Sequence, residues 1–228
     1  MILNTATKSN LSPAILQRLL NGRKTMLHIL HIVSAMAVFS GPAWADEGIA
    51  GDAAAGADKA ATCGACHGAD GNSVNPQWPS LAGQNARYIA ATLQAFKDGT
   101  RTDVLMGAQA AALSEQDMAD LAAYFASQTP ARRTADPELA QAGERLYRGG
   151  DIENGISACM ACHGPTGRGV APAAYPALAG QHAVYTAKQL NDYKSGTRKS
   201  DGDTQIMRNI TSRLNQDEIE AVAAYMQG

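Results

Sequence analysis

The 228-residue sequence predicts an all-α protein built from two tandem copies of one small domain. Three observations carry this expectation. Landmarks of the first half recur in the second half in the same order. Two stretches open with a helix N-cap signal and continue with apolar residues at i, i+3, i+4 and i+7. No alternating β-branched run, the signature of a half-buried strand, is present.

At the start of the chain, residues 1–45 hold four basic residues, Lys8, Arg18, Arg23 and Lys24, and no acidic one. The apolar run Met26 to Phe39 follows, then Gly41, Pro42, Ala43, Trp44 and Ala45. A basic region, an apolar region and a small-x-small end make a secretory signal peptide, with cleavage expected after Ala45. An uncleaved membrane anchor competes with this reading. His28 and His31 interrupt the apolar run and Pro42 follows it, which argues against an anchor. The stretch before Arg23 is longer than a signal needs, so Met26 is an alternative start, although it would lose the basic residues. The remaining chain keeps 15 of the 19 Lys and Arg against all 21 Asp and Glu, a formal charge of −6. That balance argues against nucleic acid as a partner. No later stretch is apolar enough to span a bilayer.

All four cysteines fall in two copies of C-x-x-C-H: Cys63-Gly64-Ala65-Cys66-His67 and Cys159-Met160-Ala161-Cys162-His163. Two thiols at this spacing can each add to a haem vinyl group, and the adjacent His then lies under the iron. Covalent links let a small domain wrap around the porphyrin with few other contacts. A four-thiolate zinc site, a thioredoxin-like redox pair and a structural disulfide compete. Zinc leaves the His after each second cysteine unexplained, and the thioredoxin pair needs a βαβ context that is not seen. The pattern favours two covalent haem c groups. Attachment outside the cytoplasm agrees with the export signal and, in a Gram-negative source, with the periplasm.

The repeat is read from residue pairs. Cys63 and Cys159 differ by 96 positions, and after the motif the offset is 97. Pro79-Ser80-Leu81-Ala82-Gly83-Gln84 matches Pro176-Ala177-Leu178-Ala179-Gly180-Gln181, and Phe96-Lys97-Asp98-Gly99-Thr100-Arg101 matches Tyr193-Lys194-Ser195-Gly196-Thr197-Arg198. Beyond a small insertion near Ser200 to Asp203 the offset is 101, and Met106 matches Met207. Helices are expected from Asn85 to Lys97 and from His182 to Lys194, stopped by Gly99 and Gly196. Ser114 to Asp117 reads as a capping box ahead of Met118, Leu121, Ala122 and Phe125. Asn215 to Glu218 plays the same part ahead of Ile219, Val222, Ala223 and Met226. The joint near Ser127 to Pro137 reads as an exposed linker, with Arg132 and Arg133 facing solvent. Asp136-Pro137 reads as the N-cap and first position of a helix over Glu138 to Tyr147. The expected domains are 46–135 and 136–228.

An iron held by one His has an open sixth position, and its occupant separates a carrier from an enzyme. Met106 and Met207 share a register seven residues before Leu113 and Leu214 and are expected in irregular segments just before the terminal helices. Met118 and Met226 lie on apolar helix faces and read as core, and Met160 sits inside the motif. His182 has Asn85 as its repeat partner and reads as a partly exposed residue at a helix start. The Pro79 and Pro176 carbonyls are placed to accept the proximal Nδ1–H. Gln84, Tyr88 and Arg101, with Gln181, Tyr185 and Arg198, are candidate donors to haem propionates, with ordinary helix packing as the alternative for the tyrosines and glutamines.

C-x-x-C-H, P-x-L-A-G-Q, F/Y-K-x-G-T-R, the pre-helix Met and A-A-Y, each present twice, resemble the cytochrome c4 family over nearly all of 46–228. The resemblance implies two class I cytochrome c domains with pseudo-twofold symmetry, and His67/Met106 and His163/Met207 as axial pairs. It also implies a monomeric respiratory-chain electron carrier, at most loosely attached to the membrane. Its redox partners would be of the kind of a bc1-type complex and a terminal oxidase. Two other readings stand beside it: the cytochrome subunit of a flavoprotein sulfide dehydrogenase, and a dihaem peroxidase, an enzyme that needs one haem to open. The expected halves carry −4 and −2, so partners are expected to dock unequally, with Lys97 and Lys194 near the two haems.

Overall fold

A computed structural model describes residues 50–228. The expected export signal and its cleavage point after Ala45 lie outside these residues. The first half holds α1 (Ala53–Lys59), α2 (Ala61–His67), α3 (Ala86–Lys97), α4 (Val104–Ala111) and α5 (Glu115–Ser127). The second holds α6 (Pro137–Gly149), α7 (Met160–His163), α8 (Ala183–Lys194), α9 (Ile206–Thr211) and α10 (Gln216–Gln227). Extended pairing among the described residues is limited to two isolated bridges, Asp151 with Ile156 and Val170 with Tyr175.

Local chemistry sets the helix starts. Ser114 and Asp117 form a reciprocal capping box at α5, and Asn215 and Glu218 form one at α10. Asp136 accepts from the Glu138 and Leu139 N–H groups, with Pro137 opening α6. Each such cap contributes about 1 kcal/mol. Asp52 caps α1 in the same way through Ala54. That helix has no counterpart among the sequence expectations, because its Ala-rich stretch carries no apolar period. α3 and α8 end at Gly99 and Gly196, whose φ values of 78° and 74° are open to glycine without strain.

The two halves pack by one scheme. α1 lies on α5 and α6 on α10; α3 packs on α5 and α4, and α8 on α10 and α9. The stripes read from the sequence are the core: Met118, Leu121, Ala122 and Phe125 are buried in one half, and Ile219, Val222, Ala223 and Met226 in the other. The first and last helices of each half cross at a glycine. A Cβ on Gly56 would lie 2.1 Å from the Asp120 carbonyl oxygen, and one on Gly143 would lie 2.0 Å from that of Ala221. Between this glycine and the first cysteine the second half is nine residues longer. The extra chain makes the loop closed by Asp151 and Ile156.

The linker differs from expectation. Arg132 is exposed, but Arg133 turns inward. Its Nη1 donates to the Gly180 carbonyl at 2.7 Å and its Nη2 to the Ser73 carbonyl at 2.8 Å. Ala131 N–H donates to Asn72 Oδ1, and the Thr134 carbonyl accepts from Gln227. Alternate residues of the extended segment are therefore tucked against both halves. A long guanidinium can satisfy carbonyls of each half at once, and this draws Arg133 out of solvent.

One charge cluster exists in the first half alone. Asp120 is buried and accepts from Asp52 N–H at 2.9 Å, Lys59 Nζ at 2.7 Å and Gln116 Nε2 at 2.8 Å. Its repeat partner is Ala221. The Asp52 N–H, then Lys59 and Gln116, hold the carboxyl down at about 2. The folded value is below the unfolded one, about 3.9. The stabilisation is therefore present above about pH 4 and is lost as pH falls through about 2. Urea unfolding should show Asp120→Asn less stable than the parent at pH 5, with the gap closing towards pH 2. A gap that stays constant with pH would contradict this.

Candidate haem sites

The first motif lies on α2 and the second on the single turn α7, which Cys159 opens. Gly68 and Gly164 end these helices with φ of 84° and 79° and turn the chain away directly after each histidine. His67 Nδ1 lies 2.8 Å from the Pro79 carbonyl oxygen, and His163 Nδ1 lies 3.0 Å from that of Pro176. A carbonyl only accepts, so each Nδ1 carries the proton and each Nε2 presents a lone pair. Both rings are buried, and burial lowers their pKa against the opposing pull of the proline carbonyl. Each half thus offers a neutral imidazole with a fixed tautomer, the form that binds a metal.

No cysteine is paired in a disulfide. Among the described residues no three of His, Cys, Asp and Glu are grouped to hold a metal ion. A four-thiolate zinc site is therefore not assembled.

Met106 and Met207 occupy equivalent places, but on short helices rather than in irregular segments. Asp103 caps α4, accepting from the Leu105 and Met106 N–H groups at 3.0 Å each. α9 lacks a side-chain cap at Gln205. There Asp201 takes the Arg208 N–H at 3.0 Å and the Arg208 Nε at 2.8 Å. Two different acidic anchors therefore hold the same register. Met207 packs against the core of the second half.

The candidate propionate donors meet at the joint between the halves. Arg101 Nη2 donates to the Tyr185 hydroxyl, and Arg198 Nη2 to the Tyr88 hydroxyl, each at 3.0 Å. Gln189 Oε1 accepts from both arginines, at 2.7 and 2.8 Å. Each guanidinium also sits over its own half's ring, Arg101 4.6 Å from Phe96 and Arg198 4.5 Å from Tyr193. Both arginines are only 7–8% exposed, and neither has a carboxylate in ion-pair range among the described residues. Burial works against ionising Tyr88, but Arg198 and Arg101 overcome it and bring its hydroxyl to about 8. Two buried cations without a counter-charge form a site for an anionic group. The carboxylates of a haem edge suit it.

Gln84 and Gln181 are differently engaged. Gln84 Oε1 accepts from Ala177 N–H at 2.7 Å, and its Nε2 donates to the Ala177 carbonyl at 2.9 Å. Gln181 does the same to Ser80, at 2.9 and 3.0 Å. His182 is buried, not partly exposed. Its Nε2 lies 2.8 Å from the Ser73 carbonyl and 3.0 Å from Arg133 Nη2. The opposite half packs over the start of α8 and covers it. Gln189 went unnoticed in the sequence because its repeat partner, Thr92, carries no matching group. Lys97 and Lys194 donate to the Leu113 and Leu214 carbonyls, so each ties a helix end to the turn before the last helix.

The family model described as Cytochrome c matches the chain twice, over residues 53–129 and 140–228. A cytochrome c4 of Pseudomonas aeruginosa is 54% identical over 179 residues, which span 78% of this chain and 89% of the relative. The chain belongs to the cytochrome c4 family. A crystal structure of reduced recombinant cytochrome c4 from Pseudomonas stutzeri matches with a TM-score of 0.77 at 49% identity, covering 78% of this chain and 99% of that one. A thiosulfate dehydrogenase electron acceptor of Stutzerimonas stutzeri is 41% identical over 176 residues, 75% of this chain and 80% of the relative. As a cytochrome c4, the chain has two cytochrome c domains and two covalently bound haem c groups. It is an electron-transfer protein working with redox partners, not an enzyme, so the peroxidase reading is set aside.

Proposed function

We propose that this cytochrome c4 is exported to the periplasm and carries single electrons along a respiratory chain, towards a terminal oxidase. The observation that carries the reading is the paired donor set. Each half presents a buried, neutral histidine Nε2 and a methionine in matched register. When bound, a haem c supplies a one-electron couple. The residues do the rest. Cys63 and Cys66, with Cys159 and Cys162, hold the two groups by thioether bonds. His67 with Met106, and His163 with Met207, would hold the two irons and would leave no open position for a substrate. Thioether sulfur favours ferrous iron and raises the potential. Arg101, Arg198, Tyr88 and Tyr185 would receive the propionates, while the glutamine amides are spent on the opposite half's backbone. The domains divide at Asp136, where α6 begins. Among the described residues no helix is long and apolar enough to cross a membrane.

Met106→Ala should open the first haem alone. The weak far-red sulfur-to-iron band should lose about half its intensity, and that haem should bind cyanide readily. Met118→Leu, a change between core fillers, should leave the band intact. An unchanged band in Met106→Ala would remove Met106 from the site.

A second reading has a specific observation behind it. The 41% identical relative is an electron acceptor of thiosulfate dehydrogenase. It stands beside the flavoprotein sulfide dehydrogenase as a sulfur-linked alternative. Reduction of the purified protein by a thiosulfate dehydrogenase, faster than its oxidation by a terminal oxidase supports respiratory flux, would select it.

A further inference from the structure

We propose that Gln181 and Gln84 are crossed positioning residues, each setting the reduction potential of the haem in the half to which it does not belong. The inference rests on the reading of His67 and His163 as proximal ligands. The Pro79–Ser80 peptide is used at both ends. Its carbonyl accepts from His67 Nδ1 at 2.8 Å, and its N–H, on Ser80, donates to Gln181 Oε1 at 2.9 Å. The Pro176–Ala177 peptide repeats the arrangement, with His163 at 3.0 Å on the carbonyl and Gln84 Oε1 at 2.7 Å on the N–H. Each glutamine also donates from Nε2 to the next carbonyl, which fixes its amide in one orientation. Both side chains belong to buried or half-buried residues between the halves, shielded from competing water.

A peptide that donates through its N–H becomes more polarised, and its carbonyl oxygen becomes a stronger acceptor. The oxygen then draws more strongly on the proximal Nδ1–H and makes the ring a more basic ligand. A more basic ligand stabilises ferric iron and lowers the potential, because hydrogen bonding around the axial ligand is one of the levers on that quantity. The lever acting on the first haem is therefore Gln181, about a hundred positions along the chain from Ser80, and the lever acting on the second is Gln84. A purely structural role would also disturb the opposite half, but it gives no reason for that haem's potential to rise while both haems and the far-red band are retained.

The test is a redox titration of the holoprotein followed by the hyperfine-shifted haem methyl resonances. Met106→Ala assigns those resonances to their halves. Gln181→Leu should raise the potential of the first haem and leave the second where it was. Gln84→Leu should do the reverse. A lost hydrogen bond of ordinary strength predicts a change of about threefold to tenfold in the oxidised-to-reduced ratio at fixed poise. The upper end is about 59 mV for one electron. A leucine variant that loses a haem is replaced by Gln181→Asn or Gln84→Asn, which keep an amide but cannot reach the peptide. An effect on the same-half haem, on both haems equally or on neither overturns the proposal. Two haems and an intact far-red band in those variants show that the axial assignment still stands. Loss of that band in Gln181→Leu and Gln84→Leu alike would instead count against the ligand assignment.

Discussion

With Cys63→Ala and Cys66→Ala together, the chain should carry one covalent haem instead of two, held in the second half. Each half has its own cysteine pair, its own histidine and its own proline carbonyl, and neither set borrows a ligand from the other. A domain of this size rests heavily on its cofactor for a core. The first half should therefore lose helix signal and open at lower temperature than the second. The second should keep its own optical bands, since its histidine is held by Pro176. Pyridine haemochrome per polypeptide gives the count, and two haems per chain would refute the assignment.

Gly143→Ala should destabilise the second half by about 3 kcal/mol, the upper range for forcing extra volume into a packed site. The added carbon would meet the Ala221 carbonyl oxygen at 2.0 Å and the Tyr225 Cβ at 2.8 Å, and backbone cannot swing aside as a side-chain tip can. α6 and α10 would have to part, moving Tyr147 and Tyr225, whose rings sit 5.2 Å apart. Gly149→Ala is the comparison. It lies at the end of the same helix with open space around its Cβ position, so it should be neutral or gain a few tenths of a kcal/mol. Thermal unfolding of the two holoproteins separates the cases, and equal midpoints would show that the crossing is not tight.

Much of the haem site was legible because its chemistry is contiguous. C-x-x-C-H puts two thiols and an imidazole within five residues. The capping boxes at Ser114 and Asn215 span four residues each. The apolar stripes of α5 and α10 repeat at the helical period, and their burial follows from it. Met106 and Met207, proposed as the sixth ligands, stand out because a duplicated chain carries the same register twice.

The sequence by itself therefore determined the fold class, the duplication, the two attachment points and the helices with strong caps or periods. All of these follow from interactions between near neighbours in the chain. The tertiary structure alone decided where the halves meet. α1 has no apolar period of its own, and its packing on α5 depends on the close approach that Gly56 permits. Arg133 and His182 were expected at the surface, because a polar residue beside proline or at a helix start usually is. His182 is buried and Arg133 half-buried, each by groups from distant parts of the chain. The P-x-L-A-G-Q copies are the clearest case. Their glutamines read as part of their own half, yet each binds the backbone of the other copy. A duplicated motif looks the same whether it closes on itself or on its twin. Only the pseudo-twofold packing of the halves, a contact across about a hundred residues of chain, settles which.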